Sequence, residues 1–435
     1  MKLTRSLCSN LLLIASTCYA SKFKSQSDDQ SSEIHIDPKC FKQDYQIHST
    51  SDLNQISDCT VISGNVHVTH YDSDSLYLGS IKEIKGDLTV RNVSNLIRIE
   101  AYNLNSIGGS LELNTLNSLT TLSFPKLENI ETLKWQVLPI LTSVNLDSGI
   151  KTINSVIMSD TSLTGFGGFN VETLKTLNIN NNRFLEIIES TVSEITGDLL
   201  VAANAKNIQV SLPNLTWVKS MTIKDVTSIN LENLQIIEKN ADFSNNKFKS
   251  LQLSKLKSTG DTLSIIKNKD LEELQFDQLS EVGGGLMIID NDKVQNINFF
   301  PSLKSVGGAI EFHGDIDKNH FSNLKIIKGS AIMKSSSEEF DCSDWMKNEV
   351  GDVVRGGKVE CGSGKSTSTE VVMVDESGER TQGEPGINDK NKNKNATKYG
   401  NSLFKSSGSK KDKCFTPLIT VVFIHMFGFL LKCIF

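Results

Sequence analysis

One short sequence unit recurs through most of this 435-residue chain, and this recurrence limits the possible folds more than any other feature does. Two clear copies read GGSLELNTLNSLTTLSFPKLENI, from Gly108, and GGGLMIIDNDKVQNINFFPSLKSV, from Gly283. Units of about 19 to 24 residues, roughly twelve in all, cover Ser63 to Ile327. A regular period of this length predicts a repeat architecture in which each unit forms one structural layer.

Within a unit, apolar and polar residues alternate in short runs, as at Leu111 and Leu113, and Gly, Asn and Pro separate the runs. Such runs predict strands of three or four residues joined by turns. Burying about six aliphatic side chains stabilises one unit by on the order of 10–15 kcal/mol, whereas ordering about 22 residues costs on the order of 30 kcal/mol. A unit is therefore unstable alone and must pair its strands with those of its neighbours. The sequence predicts an all-β, parallel β-helix or solenoid.

A column of amide and carboxylate residues recurs with the same period, at the end of the first strand of each unit. These residue types tolerate left-handed backbone and hydrogen-bond the adjacent turn. We interpret the column as turn formers whose side chains stack in a ladder, and a row of ligand-binding amides is the alternative. Its members are Asn92, Asn114, Gln136, Asp160, Asn181, Asn204, Asp225, Asn246, Asn268 and Asn291.

The first twenty residues have the three-part layout of a secretory signal. Lys2 and Arg5 precede an apolar stretch, and a small residue, Ala20, closes the segment. This layout predicts cleavage after Ala20 and export of the remainder. A buried first helix is the alternative.

The last thirty residues read SSGSKKDKCFTPLITVVFIHMFGFLLKCIF. Small residues precede a short polar spacer, and an apolar tail runs from Phe415 to the end, which is the order of a GPI-attachment signal. The predicted attachment residue is Ser406, Ser407 or Gly408. A transmembrane helix is the alternative, but about seventeen residues before Lys432 would barely span a bilayer, and the lysines of the spacer would lie on the lumenal side, against the usual charge bias.

Removal of both end segments would take four of the eight cysteines with it. An even set remains, which in an exported chain predicts disulfides. The two pairs have equal spacing, and one pair lies before the first repeat and the other after the last. We predict the disulfides Cys40–Cys59 and Cys342–Cys361 as staples of caps that cover the open ends of the solenoid. A metal site is disfavoured because no C-x-x-C spacing is present.

Composition changes after Cys361, where Ser, Gly, Lys, Asn and Glu predominate and predict a disordered tether. The predicted organisation is a signal peptide at 1–20, an N-terminal cap at 21–62, repeats at 63–327, a C-terminal cap at 328–361, a tether with the attachment region at 362–409, and a removed tail at 410–435.

The rhythm G-x-L-x-I-x-x-N-x-x-L-x-x-I-x-F-x-x-L-x-x-I-x-G is similar to that of the receptor L domain. With its two end segments, the chain resembles the fungal GPI-anchored cell-wall organisation proteins, a family that includes sporulation-specific wall proteins. The resemblance implies a right-handed β-helix of about twelve coils of roughly 22 residues. It also implies a role in assembling the glucan and mannoprotein of the fungal wall, with the spore wall as one setting. The residues themselves predict a location at the outer leaflet of the plasma membrane and a chain without catalysis or cofactor.

Three N-glycosylation sequons occur, at Asn92, Asn214 and Asn395. Asn395 falls in the predicted tether, and Asn214 falls on a predicted turn. Asn92 belongs to the amide column, so we expect burial to compete with its modification.

The outward residues of the first strands show no focus of catalytic groups, which disfavours a carbohydrate-active enzyme. A receptor-type module that binds a protein or peptide is a second alternative. The net charge of −6, with no basic patch in the repeats, argues against a nucleic-acid partner. The predicted outward residues are His67, Thr89, Glu112, Lys134, Asn178, Leu200, Thr222, Asp242, Ser264, Met287 and Glu311.

Overall fold

The alternating run of each unit forms a strand that pairs in parallel with the same run one unit later. The computed structural model describes residues 37–167, 169, 171–347, 350–366 and 368–381. In a representative coil, Leu286 lies beside Leu263 of the preceding coil and Ile310 of the following one. This arrangement confirms the all-β solenoid, which has about 13 turns where the sequence predicts roughly twelve.

The longest strands form one continuous face of the solenoid, and their hydrogen bonds run from coil to coil. They are Asp44–Ile47, Asn65–Thr69, Leu88–Arg91, Ser106–Asn114, Asn129–Leu138, Ser155–Thr161, Thr176–Asn180, Glu194–Ala202, Trp217–Lys224, Ala241–Ser244, Leu263–Ile266, Leu286–Ile289, Ile310–Gly314, Ala331–Ser335 and Gly357–Gly362.

Shorter strands occupy two further positions in the coils. Those that join the same large sheet are Val61–Ile62, Glu83–Ile84, Thr173–Leu174, Ile236–Ile237, Ser258–Thr259, Glu281–Val282, Ser305–Val306 and Ile326–Ile327. Those that form separate small sheets are Ser75–Tyr77, Arg98–Glu100, Thr121–Ser123, Gly165–Phe166, Ile187–Glu189, Gln209–Ser211, Ser228–Asn230, Ser250–Gln252, Glu273–Gln275, Asn296–Ile297 and Lys318–Asn319.

The core is a stack of aliphatic side chains that point inward from every coil. In the long strands buried and partly exposed residues alternate, as in Leu286–Ile289, where Leu286 and Ile288 are buried. Because the side-chain period of a strand is two, a slip of one residue would turn this whole set outward. The parallel register therefore keeps one continuous core beneath a polar surface.

Glycines mark a corner at which successive coils approach each other closely. A Cβ atom added at Gly283 would lie 2.0 Å from the carbonyl oxygen of Gly260, and one at Gly307 would lie 2.0 Å from that of Gly283. No side chain fits at these distances without movement of the backbone. The glycines that open these units are therefore required by the close approach of the coils.

Replacing Gly283 by alanine should lower the free energy of unfolding by about 1–3 kcal/mol, because the methyl group forces neighbouring coils apart. Gly285→Ala is the matched control, since a Cβ there has its nearest neighbour at 3.5 Å, an ordinary contact. Urea unfolding of both variants measures the difference. An equal decrease in the free energy of unfolding of the two variants would show that the close approach of the coils is not the reason for glycine at position 283.

The amide column of the sequence separates into adjacent structural positions. Asn92, Asp160, Asn181 and Asp225 have positive φ values of 55°, 57°, 56° and 61° and form a left-handed corner. Asn114 and Gln136 lie one residue before this corner. The predicted turn role is correct for the corner, but the single column was an oversimplification because the amide or carboxylate lies before, at or after the corner in different units.

One residue beyond the corner, asparagine side chains turn inward and form a buried ladder. Asn268 Nδ2 donates to Asn291 Oδ1 at 3.0 Å and to the Phe243 carbonyl oxygen at 2.9 Å. Its Oδ1 accepts from Asn246 N at 2.9 Å and from Asn246 Nδ2 at 3.0 Å. These bonds satisfy the buried amides, so this ladder is structural and offers no free group to a ligand.

A disulfide and a short helix cover the N-terminal end. A 3₁₀ turn at Pro38–Cys40 leads into Asp44–Ile47, and the helix Thr50–Asn54 follows with Ser49 as its N-cap. Cys40 is bonded to Cys59, with their Cα atoms 5.8 Å apart. The first strand pairs with Asn65–Thr69 and so closes the edge of the first coil.

The C-terminal end is closed by the helix Cys342–Lys347 and a second disulfide, Cys342–Cys361, with a Cα–Cα distance of 5.7 Å. Trp345 is fully buried there, with its ring centroid 5.9 Å from that of Phe312 and 6.4 Å from that of Phe340. The aromatic cluster seals the core where the repeats stop.

Two further strands lie beyond the second disulfide, so the predicted start of the tether at residue 362 is too early. Glu370–Val374 pairs antiparallel with Gly357–Gly362, and Arg380–Thr381 pairs with Glu370–Val374. The apolar run of Val371 to Val374 pairs with the open edge of the last coil. The composition of residues 362–409 as a whole is polar, so it did not reveal this short apolar run.

Candidate functional site

The outward column of the long strands is a regular surface that runs along the repeats. The predicted outward residues stack in register, and the structure adds Ile157 between Lys134 and Asn178. Polar, apolar and oppositely charged side chains alternate along this column. It has the regularity of a binding face without a single dominant chemistry.

An ion cluster occupies the N-terminal part of this column. Glu112 is 8% exposed and accepts a hydrogen bond from Arg91 Nη2, and its Oε1 lies 3.2 Å from Lys134 Nζ. Burial favours a raised pKa for Glu112, but hydrogen bonds and charges from Arg91 and Lys134 outweigh it and hold the pKa below the usual range. A carboxylate in this state is a poor general acid, so the cluster joins coils rather than moving protons.

The lowered pKa of Glu112 makes its contribution to stability depend on pH. The charged form is favoured in the folded state, so the contribution is complete above the unfolded pKa and is lost as pH falls through the folded pKa. We expect Glu112→Gln to cost about 1–2 kcal/mol at pH 7 and to reduce the acid-dependent loss of stability below about pH 4.5. Unfolding in urea across pH measures this, with exposed Glu273→Gln as control. Parallel pH profiles for wild type and Glu112→Gln would contradict the assignment.

Two other carboxylates of the outward column lie near basic groups. Asp242 Oδ2 lies 3.0 Å from Lys224 Nζ, whereas Glu311 Oε1 lies 3.1 Å from His313 Nε2 without a hydrogen bond between them. Along the column, no two of Glu112, Asp242 and Glu311 lie on adjacent coils. In the described part of the chain, no cluster of three or more His, Cys, Asp or Glu residues could hold a metal ion.

Two of the three sequons lie on described surfaces. Asn214 is exposed on a turn, and its Nδ2 donates to the carbonyl oxygen of Thr191 at 3.4 Å. Asn92 is exposed at the left-handed corner, so the expected competition from burial is wrong. The corner turns its side chain outward, whereas the buried ladder lies one residue further along. Use of either sequon stays a prediction.

The third sequon and the anchor residues fall outside the described residues. These are Asn395, Ser406, Ser407 and Gly408. The four cysteines of the predicted caps are all described, and the structure joins them in the two bonds given above.

A pair of exposed tyrosines near the N-terminal end is not among the residues that the sequence patterns single out. Tyr77 and Tyr102 have ring centroids 6.1 Å apart, with their planes tilted by 58°. They are 25 positions apart in sequence, and the two coils bring them together because Tyr77 lies beside Glu100. Alignment of the units at this edge is the signal that could have found the pair.

Comparisons with known proteins place the chain among fungal surface proteins. The receptor L domain model matches residues 58–150. Sporulation-specific protein 2 of Saccharomyces cerevisiae is 38% identical over 98% of this chain and 86% of its own length. The chain belongs to this family of fungal cell-surface and sporulation-specific proteins.

The family likeness extends to wall proteins of other fungi. The cell surface GPI-anchored protein ECM33 of Candida albicans is 34% identical over 74% of this chain and 78% of its own length. Sporulation-specific protein 22 of Saccharomyces cerevisiae is 40% identical over 78% of this chain and 74% of its own length. No solved structure matches the chain. Within the described ranges, no helix is long and apolar enough to cross a membrane.

Proposed function

We propose that the chain organises the fungal cell wall from the outer face of the plasma membrane, without catalysing a reaction. The observation that carries this proposal is the likeness to a sporulation-specific protein along 98% of the chain. Relatives named as GPI-anchored surface proteins and cell wall mannoproteins support the location. We favour the spore wall as the setting, since two other relatives, sporulation-specific proteins 2 and 22, are named for sporulation.

The proposed arrangement is an exported solenoid held at the surface by a C-terminal lipid. Residues 1–20 act as the signal peptide, and the attachment residue is Ser406, Ser407 or Gly408. The polar residues after 381 link the solenoid to the lipid. The solenoid contributes a long, regular surface, which glucan or mannoprotein chains would contact.

The geometry supports a non-catalytic role. The outward carboxylates Glu112, Asp242 and Glu311 lie on coils that are not adjacent, whereas glycoside hydrolysis requires two carboxyl groups that flank one bond. A receptor-type ectodomain is the second candidate, because the receptor L domain model matches residues 58–150. Such a module would bind a protein or peptide rather than wall polymer.

A deletion strain of the source fungus tests the proposal. We expect altered layering of the spore wall by electron microscopy and increased sensitivity to wall-binding dyes. Re-expression of the full chain should restore both, and re-expression of a chain ending at Ser409 should not, because it lacks the proposed anchor. The proposal would be overturned if the deletion strain showed normal wall layering in both vegetative cells and spores, at stages where the wild type is shown to express the protein.

A further inference from the structure

A cavity of about 260 Å³ lies at the N-terminal end of the solenoid. It opens between the cap helix Thr50–Asn54 and the loop and strand from Tyr71 to Ile81. This volume is below the roughly 300–1,000 Å³ of pockets for drug-sized ligands. The cavity therefore suits a ligand the size of one ring. We call it the Tyr71 cavity.

The chemistry of the Tyr71 cavity is neutral. None of its described lining residues carries a charged side chain. Apolar contact comes from Leu53, Leu78 and Ile81. Hydroxyl or amide groups come from Thr50, Asn54, Ser57, Ser75 and Ser80. A hydroxyl group that donates one hydrogen bond can still accept others, so these groups suit a ligand that carries many hydroxyls and one apolar face.

The Tyr71 hydroxyl is the second observation that points to a ligand. The Tyr71 side chain is 2% exposed, lines the cavity, and its hydroxyl has no hydrogen-bond partner in the described structure. A buried polar group left without a partner costs about 1–3 kcal/mol. Burial, with a further effect of Asp72, raises the pKa of Tyr71, so the hydroxyl keeps its proton and can donate. Because the hydroxyl has almost no accessible surface, a ligand hydroxyl would accept that bond after a small movement of the cavity wall.

The tyrosine pair stands beside the cavity. Tyr77 also lines the cavity, and it is 56% exposed, while Tyr102 is 42% exposed. A Cβ atom added at Gly79 would lie 2.4 Å from Tyr77 Cε1, so the Tyr77 ring lies directly over Gly79. The missing side chain at Gly79 therefore leaves room for this exposed ring at the cavity mouth.

We propose that the Tyr71 cavity and the Tyr77–Tyr102 pair bind a pyranose residue of a neutral glycan. The apolar face of a pyranose ring packs against an aromatic ring, while its hydroxyls bond to polar side chains at the edge. The absence of lining charge selects against phosphorylated or acidic sugars. Sugar binding at this site does not depend on the proposed function. Only the identification of wall glucan or mannan as the source of the sugar rests on that function.

Binding of defined oligosaccharides to the full-length protein, purified in detergent, tests the proposal. The probes are a linear β-1,3-glucan hexasaccharide and an α-mannan oligosaccharide, measured separately by isothermal titration calorimetry. We expect one of them to bind, and the preferred probe identifies the source. Tyr77→Ala should weaken binding by roughly tenfold or more. Absence of binding by both probes would overturn the proposal.

Three further variants separate the site from general folding. Gly79→Ala retains both tyrosines but displaces the Tyr77 ring, and Tyr71→Phe removes only the unpartnered hydroxyl, so both should weaken binding while circular dichroism is unchanged. Phe184→Ala removes an aromatic ring that is 48% exposed on another coil and should leave binding unchanged. Equal binding by wild type, Tyr77→Ala and Gly79→Ala would overturn the assignment.

The deletion strain distinguishes this proposal from the function of the whole chain. A wall defect on deletion, with no glycan binding to the protein, would reject the glycan site and retain the wall function. Glycan binding that Tyr77→Ala weakens, with normal wall layering after deletion, would support the site and reject the wall function.

Discussion

Asn268→Ala will lower the free energy of unfolding by about 3–5 kcal/mol, one of the two largest effects that we expect from a change in this chain. The substitution removes the acceptor of both the main-chain and side-chain amides of Asn246, at 2.9 and 3.0 Å. It also leaves the Phe243 carbonyl oxygen without the donor that lies 2.9 Å away. Each group stays buried between coils, where water cannot replace the lost partner.

Urea unfolding followed by tryptophan fluorescence measures the loss. Asn298→Ala is the matched control, because Asn298 is an exposed asparagine in the next coil, and it should change stability by less than about 0.5 kcal/mol. A small and equal effect of the two substitutions would show that the buried ladder does not hold the coils together.

Cys342→Ser combined with Cys361→Ser will destabilise the C-terminal end by about 3 kcal/mol. The disulfide closes a 19-residue separation and ties the helix Cys342–Lys347 to the strand Gly357–Gly362. Without it, the helix that buries Trp345 can separate from the last coil. Solenoid coils contact only their neighbours, so the damage should begin at that end.

Hydrogen exchange measured by mass spectrometry locates the effect. We expect faster exchange in residues 331–362 of the double variant, with little change in the coils around Leu263–Ile289. Cys40→Ser combined with Cys59→Ser serves as the control, and it should increase hydrogen exchange at the N-terminal end instead. A uniform increase along the whole solenoid would contradict the capping role.

The sequence predicts the coils well because their signal is repeated. Each unit carries the same alternation, and parallel pairing brings the same position of each unit into one column. For this reason the outward column could be predicted residue by residue, from His67 to Glu311. Only Ile157 was missed, in a unit whose copy of the pattern is weak.

Features that depend on a difference of one residue, or on contact between different positions of two coils, could not be predicted. Asn181 and Asn246 look equivalent in the sequence, yet one occupies the left-handed corner and the other the buried ladder. Tyr77 approaches Tyr102 because strand pairing between two coils places Tyr77 beside Glu100. The antiparallel strand Glu370–Val374 was missed because its pairing partner is the end of the solenoid rather than another repeat.

Location at the cell surface is the condition on which the proposed wall function depends. Phosphatidylinositol-specific phospholipase C, applied to membranes after deacylation where the inositol is acylated, should release the protein in soluble form. The apolar tail from Phe415 would by then have been exchanged for the lipid that the enzyme cleaves.

Mass spectrometry of the C-terminal peptide of the mature protein is the most direct measurement. We expect a peptide that ends at Ser406, Ser407 or Gly408 and carries the remnant of the lipid anchor. Recovery of a C-terminal peptide that contains Phe435 would contradict the anchor and favour a transmembrane segment in its place.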